Sequence, residues 1–261
     1  MEWLHGALIF LAGIWAGTIN TVVGSGTLVT FPVLVALGTA PVTASISNAM
    51  GLIAGNVSGA LGYRKQLQGR WRSLATLMPA SLLGGVTGAY LLLHLPEEVF
   101  QYVAPVLIVC ALLLVVFQPR LQRWVRNREQ VPGNALRDKN HGVLLLVLVF
   151  LAGVYGGYFV AAQGVLLVGI LGVFMAGTMQ QANAMKNFLV LAVNVVAAAS
   201  YLLFAFDRIS WPVVGLIAVS SLIGGLLGAR IGQKLKPVVL RTVIVVLGLV
   251  ALAVMLGKLL A

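Results

Sequence analysis

Apolar and polar positions alternate in long blocks along the 261-residue chain, giving ten apolar runs separated by short polar or basic segments. The first five span about 4–23, 27–38, 42–63, 73–93 and 99–117, and the second five about 143–162, 166–177, 180–205, 211–233 and 238–259. Eight are close to the roughly 20 residues with which a helix crosses about 30 Å of hydrocarbon. The second run of each set has about 12 residues and rises only about 18 Å as a helix. It is too short to cross and is expected to enter the bilayer and end within it.

Composition agrees with this pattern, since 60% of residues are apolar and 9% charged, against roughly a quarter charged in soluble domains. The formal charge of +11 would suit nucleic acid, but the basic residues stand at the ends of apolar runs, as cytoplasmic membrane loops require. The bilayer is therefore the expected partner, and nucleic acid is not. Cys110 is the single cysteine, so no intrachain disulfide or multi-cysteine metal site can form. Met1-Glu2-Trp3-Leu4-His5 lacks the positive start of a signal peptide and reads as the beginning of the first membrane segment.

The two sets of runs are related at a spacing of about 140 residues. Gly13-Ile14-Trp15-Ala16-Gly17 is echoed by Gly153-Val154-Tyr155-Gly156-Gly157, Gly24 by Gly164, and the stretch from Ser81 to Ala89 by that from Ser221 to Ala229. In the helices that follow the short runs, Asn48 pairs with Asn187 and Ser47 with Lys186 at a spacing of 139. Repetition at one offset across both sets points to duplication. The expected domains are a first transmembrane repeat at 1–118, a basic cytoplasmic linker at 119–141 and a second repeat at 142–261.

Lysine and arginine fix the orientation. Arg64, Lys65, Arg70 and Arg72 mark one cytoplasmic loop, Arg120, Arg123, Arg126, Arg128, Arg137 and Lys139 the linker, and Arg230, Lys234, Lys236 and Arg241 a third. His94-Leu95-Pro96-Glu97-Glu98 and Asp207-Arg208 then face outward. The 64–72 loop lies inside while its counterpart near 203–210 lies outside, so the repeats have opposite orientation. Segments 4–38 and 143–177 must each return to their starting face. The expected fold is thus an all-α polytopic membrane protein of two inverted-topology repeats, each a broken, re-entrant hairpin plus three transmembrane helices, with both termini outside. Inverted repeats with interrupted helices are a plan of secondary transporters, whose substrate site lies near the midplane.

The hairpin tips carry the polar chemistry of such a site. Asn20, Gly24, Ser25, Gly26 and Thr27 concentrate amide, hydroxyl and glycine in an apolar region. A helix starting there aims its free N–H groups and positive dipole end at the bilayer centre, an arrangement suited to an anion, and Ser25 or Thr27 can also cap it. The second tip offers Gln163 and Gly164, with Gln163 either a ligand or an interhelical hydrogen bond. The following helices supply Thr43, Ser45, Ser47, Asn48 and Asn56 in the first half, and Asn183, Lys186, Asn187 and Asn194 in the second. No acidic residue lies within an apolar run, so Lys186 either binds an anion or reaches back to the cytoplasmic boundary. Gly84-Gly85-x-x-Gly88 and Gly224-Gly225-x-x-Gly228 read as close helix-packing motifs. No Walker loop, histidine cluster or serine–histidine–acid set occurs in the sequence, and no catalytic residue, metal or cofactor is expected.

At these residues the chain resembles the sulfite exporter TauE/SafE family of anion permeases. Gly13, Gly17, Gly24, Gly26 and Pro32 stand at positions of the family's glycine-rich repeat, and Ala44 to Asn48 resemble its Ala-x-x-Thr-Ser stretch. The chain departs in having Ser25 where glycine is usual, Ser47-Asn48 for Thr-Ser, and Lys186-Asn187 in the second half. The resemblance implies transport of sulfite, organosulfonates or related anions, often outward, as a multi-pass protein of the bacterial inner membrane. The residues alone leave open a permease for another small anion such as a carboxylate, or an accessory membrane subunit without a pathway, and they do not speak to oligomeric state.

Overall fold

A computed structural model describes residues 3–129, 139–175, 177–231 and 237–260. Arg137, Lys234 and Lys236 of the expected basic loops lie outside them. The described chain forms ten α-helices: α1 (Trp3–Val22), α2 (Thr27–Ala36), α3 (Pro41–Tyr63), α4 (Trp71–His94), α5 (Glu97–Glu129), α6 (Lys139–Phe159), α7 (Gln163–Phe174), α8 (Met179–Phe204), α9 (Trp211–Ile231) and α10 (Pro237–Leu260). Helices are what lipid permits, because each satisfies its own backbone hydrogen bonds. Six stretches, Trp3–Val22, Trp71–His94, Glu97–Arg120, Gly142–Phe159, Met179–Phe204 and Trp211–Arg230, are long and apolar enough to cross a membrane. The chain is a polytopic helical membrane protein.

The exceptions have physical reasons. α3 is 23 residues long but buries Ser45, Ser47, Asn48, Asn56 and Ser58, so its polar groups face protein rather than lipid. The short helices α2 and α7 have 10 and 12 residues and rise about 15 and 18 Å, roughly half of the hydrocarbon thickness. α5 runs on to Glu129, so the expected linker 119–141 begins as a helix; hydropathy marked where the apolar stretch stops, not where the helix does.

The helices pack in matched pairs. α1 lies along α9, with Gly13 against Ser220, Gly17 against Ser221 and Gly225, and Gly228 against Thr18. α6 lies along α4 in the same way, with Gly84 against Phe150 and Gly153, and Gly88 against Val154 and Gly157. A Cβ on Gly17 would stand 2.2 Å from Ser221 O, and one on Gly88 2.1 Å from Val154 O. These small residues let backbones touch where lipid offers no hydrophobic drive for association. Each pair is parallel and joins a hairpin helix of one half to a helix of the other.

Loop contacts define the two ends of the bundle. Arg208 pairs with Glu97 at 3.5 Å, placing the 94–98 and 205–210 connections together. At the other end the Arg70 guanidinium packs where a Cβ on Gly177 would lie, bringing 64–72 beside the start of α8. Since α1 runs with α9 and α6 with α4, the two hairpins enter from opposite ends.

The contacts also correct the register of α3 against α8. Ser221 Oγ donates to Gly51 O and Ser81 Oγ to Leu189 O, while Gly225 faces Gly55 and Gly85 faces Val193. The matching spacing is therefore 138, not 139: Asn48 matches Lys186, Asn56 matches Asn194 and Tyr63 matches Tyr201. The second half reaches its long helix two residues sooner after the tip, a change in a connection that helical pattern does not register.

Candidate functional site

The two tips meet. Gly24 sits at φ +92°, a conformation that costs about 1–2 kcal/mol for a residue with a Cβ, and its carbonyl accepts the Gly164 N–H at 3.1 Å. A Cβ on Gly24 would lie 2.6 Å from Gly164 Cα, and one on Gly164 would lie 2.5 Å from Gly24 Cα. The second tip is built differently from its expected form. Its turn is made by Val160 and Ala162 at φ 60° and 58°, so Gln163 and Gly164 belong to the first turn of α7. Left-handed non-glycine residues are stored strain of the kind found at functional sites.

Lys186 crosses between the halves. Its side chain is fully buried, its stem lies against Gly164, and Nζ donates to Asn20 O at 3.0 Å and Thr21 O at 3.2 Å. It does not reach back to the boundary, unlike Arg230, which is exposed near the end of α9. Both carbonyls lie in the last turn of α1, where the helix dipole presents negative partial charge. Two N–H donors are thereby used, and the protonated amine has one more to offer. Glu97, Glu98 and Asp207 are exposed.

First-half polar groups largely satisfy one another. Asn20 Oδ1 accepts the Gly26 N–H at 3.2 Å and its Nδ2 donates to Asn56 Oδ1. Asn48 Nδ2 donates to Thr27 Oγ1 at 3.0 Å and its Oδ1 accepts from Thr30 Oγ1. Neither Ser25 nor Thr27 caps α2; Thr27 serves Asn48, and Ser25 Oγ is buried without a partner. Ser47 stands apart, accepting the Ser210 N–H at 2.9 Å and tying α3 to the start of α9. Thr30 was missed from the sequence, although its spacing of three from Thr27 puts both hydroxyls on one helix face.

The second half leaves its amides open. Gln163 Oε1 and Nε2, Asn187 Nδ2, and both side-chain polar atoms of Asn194 are buried without hydrogen-bond partners. Gln163 is pressed against α6, where a Cβ on Gly156 would fall 2.2 Å from its Cδ.

The surroundings differ at the two ends. Phe31, Phe100 and Phe159 pack edge to face, with Phe31 and Phe159 centroids 5.2 Å apart, and close the region beside the tips with α2, α5 and α6. At the Arg70 end a small cleft is lined by Arg70, Leu171, Met175, Thr178, Gln181 and Met185, the last adjacent to Lys186.

A family model described as Sulfite exporter TauE/SafE matches residues 9–255. Similar proteins include the Probable membrane transporter protein YfcA of Escherichia coli strain K12, 26% identical over 98% of this chain and 90% of that protein. Another is a Probable membrane transporter protein of Haemophilus influenzae, 25% identical over 95% of this chain and 93% of that protein. A third, Probable membrane transporter protein ORF9 of a Sinorhizobium species, is 25% identical over 95% and 90%. No solved structure is a significant match. With its six span-length apolar helices and bacterial relatives, the protein is a multi-pass membrane transporter of the bacterial inner membrane, and the chain belongs to the sulfite exporter TauE/SafE family.

Proposed function

We propose that this chain is a secondary permease, working as an exporter, for a small sulfur-containing anion such as sulfite or an organosulfonate. The observation that carries the reading is Lys186: a buried amine held at the meeting of the two tips, while Glu97, Glu98 and Asp207 are all exposed. A buried charge is costly unless compensated, and an incoming anion completes the compensation that two carbonyls begin. The family description supports a sulfur oxyanion and the outward direction.

The binding position we assign uses Asn20, Gly24, Ser25, Gly26 and Thr27 of the first tip, Asn48, and Gln163, Gly164, Lys186 and Asn187 of the second half. The matched helix pairs and the hairpins entering from opposite ends support inverted repeats, in which rocking of one packed group, α1, α3 and α9, against the other, α4, α6 and α8, exposes a fixed midplane site alternately. The phenylalanine cluster on one side and the Arg70 cleft on the other suit a state closed outward. The test is a thermal-shift series on purified protein with sulfite, ethanesulfonate, acetate and chloride. Selective binding to the native state raises apparent stability, so sulfite or ethanesulfonate should raise the midpoint most. An equal response to all four anions would overturn the sulfur-anion assignment.

A further inference from the structure

The halves put matched asparagines to different use. Asn56 Oδ1 accepts from Asn20, but the position matching Asn20 is Val160, and Asn194, the match of Asn56, is fully buried with neither side-chain polar atom bonded. Asn48 engages Thr27 and Thr30, whereas Leu167 and Ile170 stand at the matching positions. Among the described residues the first half has four buried side-chain atoms without a partner, on Ser25, Asn56, Gln66 and Gln118, and the second has seven, of which five are amide atoms of Gln163, Asn187 and Asn194.

Asn194 lies eight residues beyond Lys186, about 12 Å along α8 and within about 80° of the same side. Lys186 packs on Gly164, and Tyr201, seven residues further on, donates to Gly157 O at 2.9 Å. The intervening stretch of α8 therefore flanks the 157–164 segment and its left-handed turn. Buried amides without protein partners are satisfied in native structures by water or ligand. This set combines amide N–H groups with an ammonium and no carboxylate, which suits a small oxyanion.

We propose that Asn194, which Lys186 alone does not explain, is a second contact for the transported oxyanion, forming with Gln163 a recognition surface that belongs to the second half. Lys186 supplies charge; the neutral amides read the positions of the oxygens. The proposal rests on the anion-permease reading, so its test must separate the two. Single cysteines replace Asn194 or Asn56 in a Cys110→Ser background of the full-length protein in liposomes. Each is treated with sulfonatoethyl methanethiosulfonate and with its trimethylammonium-ethyl counterpart, while sulfite flux is followed in the parent.

Asn194→Cys should react about tenfold or more faster with the anionic reagent, the discrimination expected of a local positive field, and ethanesulfonate, which neither consumes the reagent nor cleaves the mixed disulfide, should slow that reaction; Asn56→Cys should react less. Lack of reaction at 194, or equal rates with both reagents, in protein that moves sulfite would overturn the Asn194 contact and leave the permease reading standing. Anion-selective reaction at 194 in protein that does not move sulfite would keep the contact and overturn the sulfur-anion reading. Asn194→Leu gives a second readout. It should raise the KM for sulfite by about tenfold, as loss of a hydrogen bond to a charged partner does, without lowering thermal stability. Reduced stability with unchanged KM would make Asn194 structural.

Discussion

At the scale of single residues, the tips depend on what glycine lacks. Gly24 combines φ +92° with a carbonyl that bonds the opposite tip, so valine there meets both backbone strain and the Gly164 backbone. Gly24→Val should abolish most transport while leaving membrane insertion intact, checked by flux against the amount of reconstituted protein. Asn48 is a different kind of residue, satisfied by two threonines. Asn48→Ala should destabilise the protein by about 1–3 kcal/mol, because its partners lose their hydrogen bonds in a buried place; thermal unfolding measures this. The type of these residues was readable from the sequence, since amides and glycines in apolar runs are conspicuous. The destination of Lys186 was not, because its acceptors lie 165 and 166 residues away in the chain. Only the docking of the halves brings them within reach.

At the scale of elements, the helices follow hydropathy closely and their junctions do not. α2 and α7 are short, as their apolar runs require, but the second turn falls on Val160 and Ala162, residues that local preference for left-handed backbone would not select. Gln163 therefore begins a helix, where the sequence had placed it in the tip. The α3 and α8 register slipped by one for a similar reason: adjacent Ser47-Asn48 and Lys186-Asn187 look like a match, but the serine contacts of α4 and α9 fix the other alignment. The glycine motifs were legible as packing surfaces, and the structure supplies their partners. Gly17→Val and Gly88→Val should each lower stability by more than the roughly 1–3 kcal/mol of ordinary overpacking, since backbone atoms block the added carbons. Gly215→Val, with no atom within 4 Å of its Cβ position, should change unfolding little.

At the scale of the molecule, two ends and one meeting point organise the account. The Glu97–Arg208 pair is exposed and contributes at most about 1 kcal/mol; its value is positional, fixing which loops share an end. Single cysteines at Glu97 and Asp207 should be labelled from one side of the membrane by an impermeant reagent, and a cysteine at Gln68 from the other. Labelling of all three from one side would remove the opposed hairpins. The central claim, an anion carried past a buried ammonium at the tips, is tested most directly by the flux of radiolabelled sulfite into proteoliposomes containing wild type, Lys186→Met or Lys186→Arg at matched incorporation and ionic strength. The expected result is saturable flux in wild type, a KM raised by about tenfold, or roughly 1.4 kcal/mol, in Lys186→Met, and a smaller rise in Lys186→Arg. The same KM for wild type and Lys186→Met would contradict it.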